Sequence, residues 1–151
     1  MTFLLCAAAA VTTVAATGST ASAQEVKVLS DSTPVGLWVG TVSREGVTDN
    51  LQIAFSSTGE ACLYTSDGES VGTWESTRGE HFSYAILEAL IDNTTGQHTG
   101  WILINQYAVQ ERGVIDSSGV SDVFDLNGNL IASVTSTVSV QRESSQVPDS
   151  C

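Results

Sequence analysis

The sequence lacks the short motifs that identify several classes of enzyme. No glycine-rich phosphate-binding loop is present, and no serine has a histidine and an aspartate arranged locally around it as a hydrolytic triad would. The two histidines, His81 and His98, have no third ligand near them in the sequence, and no Cys/His cluster has zinc spacing. We therefore expect no metal and no cofactor, with both histidines at the solvated ends of strands.

Positive charge is scarce in this chain. Five Lys and Arg residues stand against 17 Asp and Glu residues, which gives a formal net charge of -12 at pH 7. Such a surface repels phosphate backbones, so we expect no nucleic-acid partner, and anionic membranes are disfavoured for the same reason. Charged residues are only 15% of the chain while Ser, Thr and Gly are abundant. That composition favours a secreted all-β protein.

The N-terminus has the features of a secretory signal, except that no Lys or Arg precedes its apolar run at Phe3–Ala16. Ala21-Ser22-Ala23 matches a small-residue cleavage site, so we interpret residues 1–23 as a signal peptide and residues 24–34 as a lead-in segment. Either the true start lies upstream or the signal is a weak one. A short membrane anchor is the less favoured alternative, because the run is short for a bilayer. We expect a secreted or extracytoplasmic protein with no stable membrane insertion after cleavage.

Only three cysteines are present. Cys6 would leave with the signal peptide, so that Cys62 and Cys151 remain in the mature chain. An oxidising compartment would allow these two to pair, and the polar C-terminal tail would let Cys151 reach its partner. A Cys62–Cys151 disulfide and two free thiols are equally compatible with the sequence.

The stretch His81–Asp92 carries the clearest pattern. With a period of two, both of its faces are mostly apolar, which predicts a long strand with no solvated side along most of its length. One face carries Phe82, Tyr84, Ile86, Glu88 and Leu90. Glu88 is the exception on that face, because a carboxylate among apolar side chains must be hydrogen-bonded, paired or neutralised by protonation.

Three interpretations of Glu88 are open. In the first it is an inward carboxylate of a pocket and acts as an acid, a base or a hydrogen-bond anchor. In the second, which is favoured, it is structural and is satisfied by a neighbour such as Arg78, Arg112 or a backbone amide. In the third a bulge turns its side chain outward into solvent.

From Val35 onward the chain alternates short strands with turn signals. The predicted strands are Leu37–Ser43, Asn50–Phe55, Ala61–Ser66, Val71–Ser76, His81–Asp92, Thr99–Val109, Val120–Phe124 and Leu130–Gln141. Predicted turns include Asp116–Gly119 and the Asn-Gly loop at Asp125–Asn129. The pattern predicts an all-β domain at 35–142 with no convincing helix, followed by a flexible polar tail at 143–151.

An eight-stranded antiparallel up-and-down barrel is the favoured arrangement of these strands. An open sheet of this length would leave two long edges, and closure removes both. A barrel of this size encloses just enough room for side chains or for one small ligand. A two-sheet sandwich is the competing architecture, but it would need Greek-key crossovers where the loops here are short.

Gly36-Leu37-Trp38, at the head of the first predicted strand, resembles the G-x-W opening of lipocalins and other calycins. Over Val35–Val140 the chain is similar to small secreted actinobacterial proteins with lipocalin-like barrels. The other shared features are Gly72–Glu75, the residues Phe82, Tyr84 and Glu88, and the hairpin Asp125–Asn129. The resemblance implies a barrel whose Trp38 plugs one end and packs the core. A weaker likeness, of architecture only, is to β-barrel cyclases of polyketide pathways.

Large amphipathic rings recur on successive predicted strands, as in the wall of a small-molecule cavity. The candidate ligand-binding residues are Tyr64, Trp74, Phe82, Trp101, Asn105 and Tyr107, and the candidate catalytic residues are Glu88 and Tyr84. Each ring alone suits a packed core, whereas the polar tips of the whole set favour a cavity, because a solid core would avoid so many groups that need partners. We predict a secreted barrel that binds a small, largely apolar molecule.

Two alternatives stay open. One is a cyclase or isomerase of a natural-product pathway that folds a polyketide-like substrate in the barrel, for instance for a pericyclic step of the Diels-Alder type. Shape and exclusion of water can then do much of the work. The other alternative is a structural domain whose barrel is filled by its own side chains. A homodimer is compatible with all of these interpretations.

Overall fold

The computed structural model describes residues 33–66 and 68–148, and eight strands make up the regular structure of this part of the chain. They are β1 (Gly36–Arg44), β2 (Val47–Phe55), β3 (Glu60–Thr65), β4 (Gly68–Arg78), β5 (His81–Ile91), β6 (His98–Glu111), β7 (Val114–Asp125) and β8 (Leu130–Ser144). Each strand pairs antiparallel with the next, and β8 pairs back with β1, so the sheet closes into a barrel. The predicted all-β up-and-down barrel is confirmed. Within the described residues, no helix has the length and apolar character needed to cross a membrane.

The segment Asp116–Gly119, which was predicted as a turn, is the middle of β7, so the prediction was wrong there. The turn lies earlier, at Arg112 and Gly113, whose φ values of 50° and 79° suit a two-residue hairpin. Ser117 faces the barrel interior and is hydrogen-bonded to buried side chains, while Asp116 on the outer face accepts a hydrogen bond from Ser139. These contacts between strands override the local turn preference of Asp, Ser and Gly.

Two other sequence predictions concern the chain termini and the cysteines. Strand β8 runs to Ser144, two residues into the predicted tail, and Glu143 accepts a hydrogen bond from Gln52 (Nε2 to Oε2, 3.0 Å). Cys62 on β3 is fully buried and disulfide-bonded. Cys6 and Cys151 both lie outside the described residues, so the pairing of Cys62 with Cys151 stays a prediction, as does the signal peptide at 1–23.

Trp38 closes one end of the barrel, as the resemblance implied. Its side chain has no exposed surface, and its indole Nε1 donates to the carbonyl oxygen of Pro34 over 2.7 Å. The guanidinium of Arg142 lies over the indole, 4.1 Å from the ring centroid, where a cation–π attraction operates. Arg142 also donates to the carbonyl oxygens of Val35 (2.6 Å) and Thr33 (2.7 Å). The residues before β1 are therefore held across this end of the barrel.

A cluster of aromatic rings fills the barrel next to Trp38. Phe55 lies edge-to-face against Phe82 (centroids 5.2 Å apart) and against Tyr84 (5.4 Å), and Trp74 lies edge-to-face against Phe82 (6.0 Å). Such geometry is the preferred one for aromatic pairs. Buried aliphatic side chains from β2, β3, β5, β7 and β8 complete the core. This half of the barrel is therefore packed with side chains.

Candidate functional site

The structure divides the candidate residues between the two faces of the sheet. Trp74, Phe82, Tyr84 and Glu88 face inward, in register with buried positions on the neighbouring strands. Tyr64, Trp101, Asn105 and Tyr107 face outward. The inward face of β6 is the one that carries Gln106 and Ala108, each 2% exposed, whereas Tyr107 is 75% exposed and Trp101 39%. The four outward residues therefore line no part of the interior.

Two of the inward candidates belong to the packed half of the barrel. Phe82 and Trp74 are held in the aromatic cluster, and the indole Nε1 of Trp74 donates to the carbonyl oxygen of Ser56 over 2.8 Å. Both side chains are therefore in contact with other protein side chains and backbone, and not with an open cavity. Any open space in the interior must therefore lie at the end of the barrel away from Trp38.

We call that opposite end of the barrel the mouth. Its inward-facing side chains are half-buried rather than buried, in contrast to the packed half. The apolar members are Val42, Leu90, Ile102, Ile104, Val123 and Val134, and the polar members are Thr65, Ser70, Glu88, Ser121 and Asp125. A lining of apolar side chains with some polar groups, at one end of a barrel, has the character of a small-molecule site.

Glu88 stays on the inward face at the mouth. It pairs with Ile102 of β6, and the irregularity in the register lies after it, between Leu90 and Ile91, so no bulge turns it outward. The hydroxyl of Thr65 donates to its Oε1 over 3.3 Å. Arg78 and Arg112 lie in the turn regions at the Trp38 end, so neither is the neighbour that the structural interpretation named. Thr65 is a partner that the sequence analysis missed.

The two ends of the barrel differ in the exposed aliphatic side chains near their turns. Among the described residues, the turns at the Trp38 end, at Ser56–Gly59, Gly79–Glu80 and Arg112–Gly113, have no large exposed aliphatic side chain beside them. Around the mouth, four large aliphatic side chains are between 54% and 60% exposed: Val47, Leu126, Leu130 and Ile131. The mouth is therefore bordered by an apolar rim.

Four buried polar side chains form one chain of hydrogen bonds between the aromatic cluster and the mouth. The Tyr84 hydroxyl contacts Ser117 Oγ at 3.0 Å, Ser117 Oγ donates to Gln106 Oε1 at 3.0 Å, and Gln106 Nε2 donates to Ser136 Oγ at 2.9 Å. Gln106 crosses to Ser136 above Gly119, which occupies the same register row on the intervening strand. A Cβ on Gly119 would lie 1.9 Å from the carbonyl oxygen of Asn105, so only glycine fits there. Apart from the polarity of Gln106, no sequence pattern predicts this chain of hydrogen bonds.

The pH dependence of stability gives a test of the burial of Tyr84. Burial raises the pKa of Tyr84 to about 12, from 10.0. Between these two values the folded protein keeps a proton that the unfolded chain has lost, so stability must fall as the pH rises through this window. We expect Tyr84→Phe, compared with the wild type by urea unfolding at several pH values from 9 to 12, to lack this part of the fall. Equal pH dependence in the two proteins would contradict the burial of the phenol.

Two grooves also lie on the outside of the barrel. One, of about 760 Å³, is lined by Tyr64, Asn50 and Gln52 among others, and the second, of about 420 Å³, is lined by Tyr107, Asp116 and Ser118 among others. Both linings combine polar and apolar groups. Two of the predicted ligand-binding rings, Tyr64 and Tyr107, therefore line grooves on the outer face of the barrel.

Residues 68–72 read Gly-Glu-Ser-Val-Gly, a G-x-S-x-G match that the sequence analysis missed. In hydrolases this motif works at a sharp turn from a strand to a helix. Here it lies within β4, and the described residues contain no helix, so Ser70 is not a nucleophile of that kind. Among the described residues no group of three or more His, Cys, Asp or Glu side chains could hold a metal. His98 donates from Nε2 to the carbonyl oxygen of Gly100 (2.6 Å) and lies against Trp101.

Comparisons with known proteins do not extend this description. No protein-family model matches the chain, and searches of curated proteins and of solved structures return no match either. The function is therefore argued from the geometry of the barrel.

Proposed function

We propose that this protein is a small binding barrel that holds a small, largely apolar molecule in its mouth. The observation that carries the proposal is the difference between the two ends. The Trp38 end is plugged, whereas the mouth has half-buried apolar side chains inside and exposed aliphatic side chains on its rim. Covering such surface is favourable by about 25 cal/mol per Å² of apolar area removed from water.

Charge restricts the class of ligand. The chain carries a formal net charge of -12, and Glu88 lies among the mouth residues. An anionic ligand would meet repulsion from both, so a neutral molecule fits the mouth better than an anion does. The disulfide at Cys62 supports a secreted or extracytoplasmic location, since such bonds persist in oxidising compartments.

A binding titration tests the proposal. N-phenyl-1-naphthylamine, a neutral dye that brightens in apolar surroundings, should bind the wild-type protein saturably with one molecule per chain. Val123→Trp, which fills the mouth, should weaken binding by about tenfold or more, equivalent to about 1.4 kcal/mol.

Val120→Trp is the matched control, because Val120 lies on the outer face of the same strand and is 43% exposed. That variant should keep the wild-type affinity within about twofold. Dye binding that does not saturate, or equal weakening by both substitutions, would rule the mouth out as the binding site.

The cyclase alternative receives less support. Its candidate pair, Glu88 and Tyr84, stands four residues apart on β5, which separates the two Cα atoms by about 13 Å along a strand. Tyr84 is also buried and hydrogen-bonded to Ser117 below the mouth. The two groups do not converge on one reacting atom, so the proposal rests on binding.

A further inference from the structure

We infer that the mouth recognises its ligand by a carbonyl oxygen, which accepts a hydrogen bond from the hydroxyl of Ser136. This inference rests on the proposed binding function and names the class of ligand: a neutral, largely apolar ketone or ester. Neither Ser136 nor Gln106 belongs to the half-buried surface of the mouth, since they are 5% and 2% exposed. They form its floor.

The direction of the buried hydrogen-bond chain identifies Ser136 as a donor. Ser117 Oγ gives its only proton to Gln106 Oε1, so the Tyr84 hydroxyl must donate to Ser117. Gln106 Nε2 then donates to Ser136 Oγ, which accepts. The chain of donors therefore runs from Tyr84 to Ser136, and the proton of the Ser136 hydroxyl has no acceptor among the described residues.

The position of Ser136 directs that proton to the ligand space. On β8 it is the next inward residue after Val134 of the mouth, and its register partner Gly119 has no side chain to cover it. On β7 the next inward residue after Gly119 is Ser121, again a mouth residue. Below the Val134–Ser121 pair of the mouth, the next row of the barrel interior therefore holds Ser136 and Gln106.

The chemistry of this donor selects an acceptor oxygen. Buried hydroxyl protons are rarely left without partners, and each donor in a chain polarises the next one, which strengthens the last. A carbonyl oxygen has two lone pairs and carries no charge, so it satisfies Ser136 without meeting repulsion from the acidic chain. A pure hydrocarbon would leave the proton unpaired.

A pair of isosteric probes tests the inference. 2-Nonanone and 2-methyl-1-nonene differ only in an oxygen replaced by a methylene group, and each can be titrated by displacement of N-phenyl-1-naphthylamine. We expect Ser136→Ala to weaken the binding of 2-nonanone by about three- to tenfold, the effect of one hydrogen bond. The affinity for the alkene should stay within about twofold of the wild-type value. Ser139→Ala, on the outer face of β8, should change neither.

The outcomes separate the two proposals. If neither probe displaces the dye from the wild type, the proposed function fails as well. If both displace it and Ser136→Ala weakens both equally or neither, the carbonyl contact is excluded and the binding barrel stands. Should the variant not fold, infrared spectra of the wild type decide the question. The carbonyl stretch of bound 2-nonanone moves to lower wavenumber than in hexane if the hydrogen bond forms, and an unmoved stretch overturns the inference.

Discussion

Replacing Trp38 with alanine is expected to lower the free energy of unfolding by about 3–5 kcal/mol, the usual cost of deleting a buried large aromatic side chain. The whole indole is buried, its N–H is bonded to the carbonyl oxygen of Pro34, and Arg142 stacks on its face. The substitution would leave a cavity at the closed end and remove the surface on which Arg142 lies. Urea unfolding followed by circular dichroism measures the loss.

Trp101→Ala is the matched control, because it makes the same change on the outer face of the barrel. Trp101 is 39% exposed and its ring contact is with His98 at 4.3 Å. Its loss should cost clearly less than that of Trp38, because part of its surface is already in contact with water and so less apolar area is lost from the interior. Equal costs for the two substitutions would contradict the assignment of Trp38 as the plug of the barrel.

Removing the disulfide is the second change with a large expected effect. Reduction of the wild type with dithiothreitol should lower the free energy of unfolding by about 2–4 kcal/mol, because the unfolded chain gains conformational freedom. Cys62 is fully buried on β3, so Cys62→Ala should show a loss at least as large. Chemical denaturation with and without reductant measures both.

Cys62→Ala also provides the control for the reductant. Its stability should not change when dithiothreitol is added, because the bond is already absent. Wild-type protein whose unfolding midpoint is the same with and without dithiothreitol would contradict a stabilising disulfide at Cys62. Peptide mapping of the unreduced protein tests the predicted pairing with Cys151 directly.

The strand order was predictable because each hairpin carries local information. Asn127-Gly128 marks the hairpin turn between two strands. Alternating apolar residues define most strands without reference to the rest of the fold. Closure followed from the argument about edges, and β8 does pair with β1. The prediction failed at Asp116–Gly119, because the residues that favour a turn there are held in β7 by partners on β5, β6 and β8.

The candidate site was less predictable than the fold. On β6 both faces carry apolar and polar side chains, so a period of two could not decide whether Trp101 or Ile102 points inward. The same difficulty placed Tyr64 and Tyr107 in a cavity when they lie outside the barrel. The Gln106–Ser136 contact joins residues 30 positions apart and depends on Gly119 between them, so it needs the three-dimensional register.

Methyl chemical shifts test the central claim of a ligand-holding mouth most directly. Methyl-labelled protein would be titrated with N-phenyl-1-naphthylamine and followed in carbon–proton correlation spectra. We predict that the methyl signals of Ile102, Val123 and Val134 move and saturate together, while those of Val71 and Leu87 on the outer face stay in place. Shifts confined to the outer-face methyls, with the three mouth residues unmoved, would contradict the account.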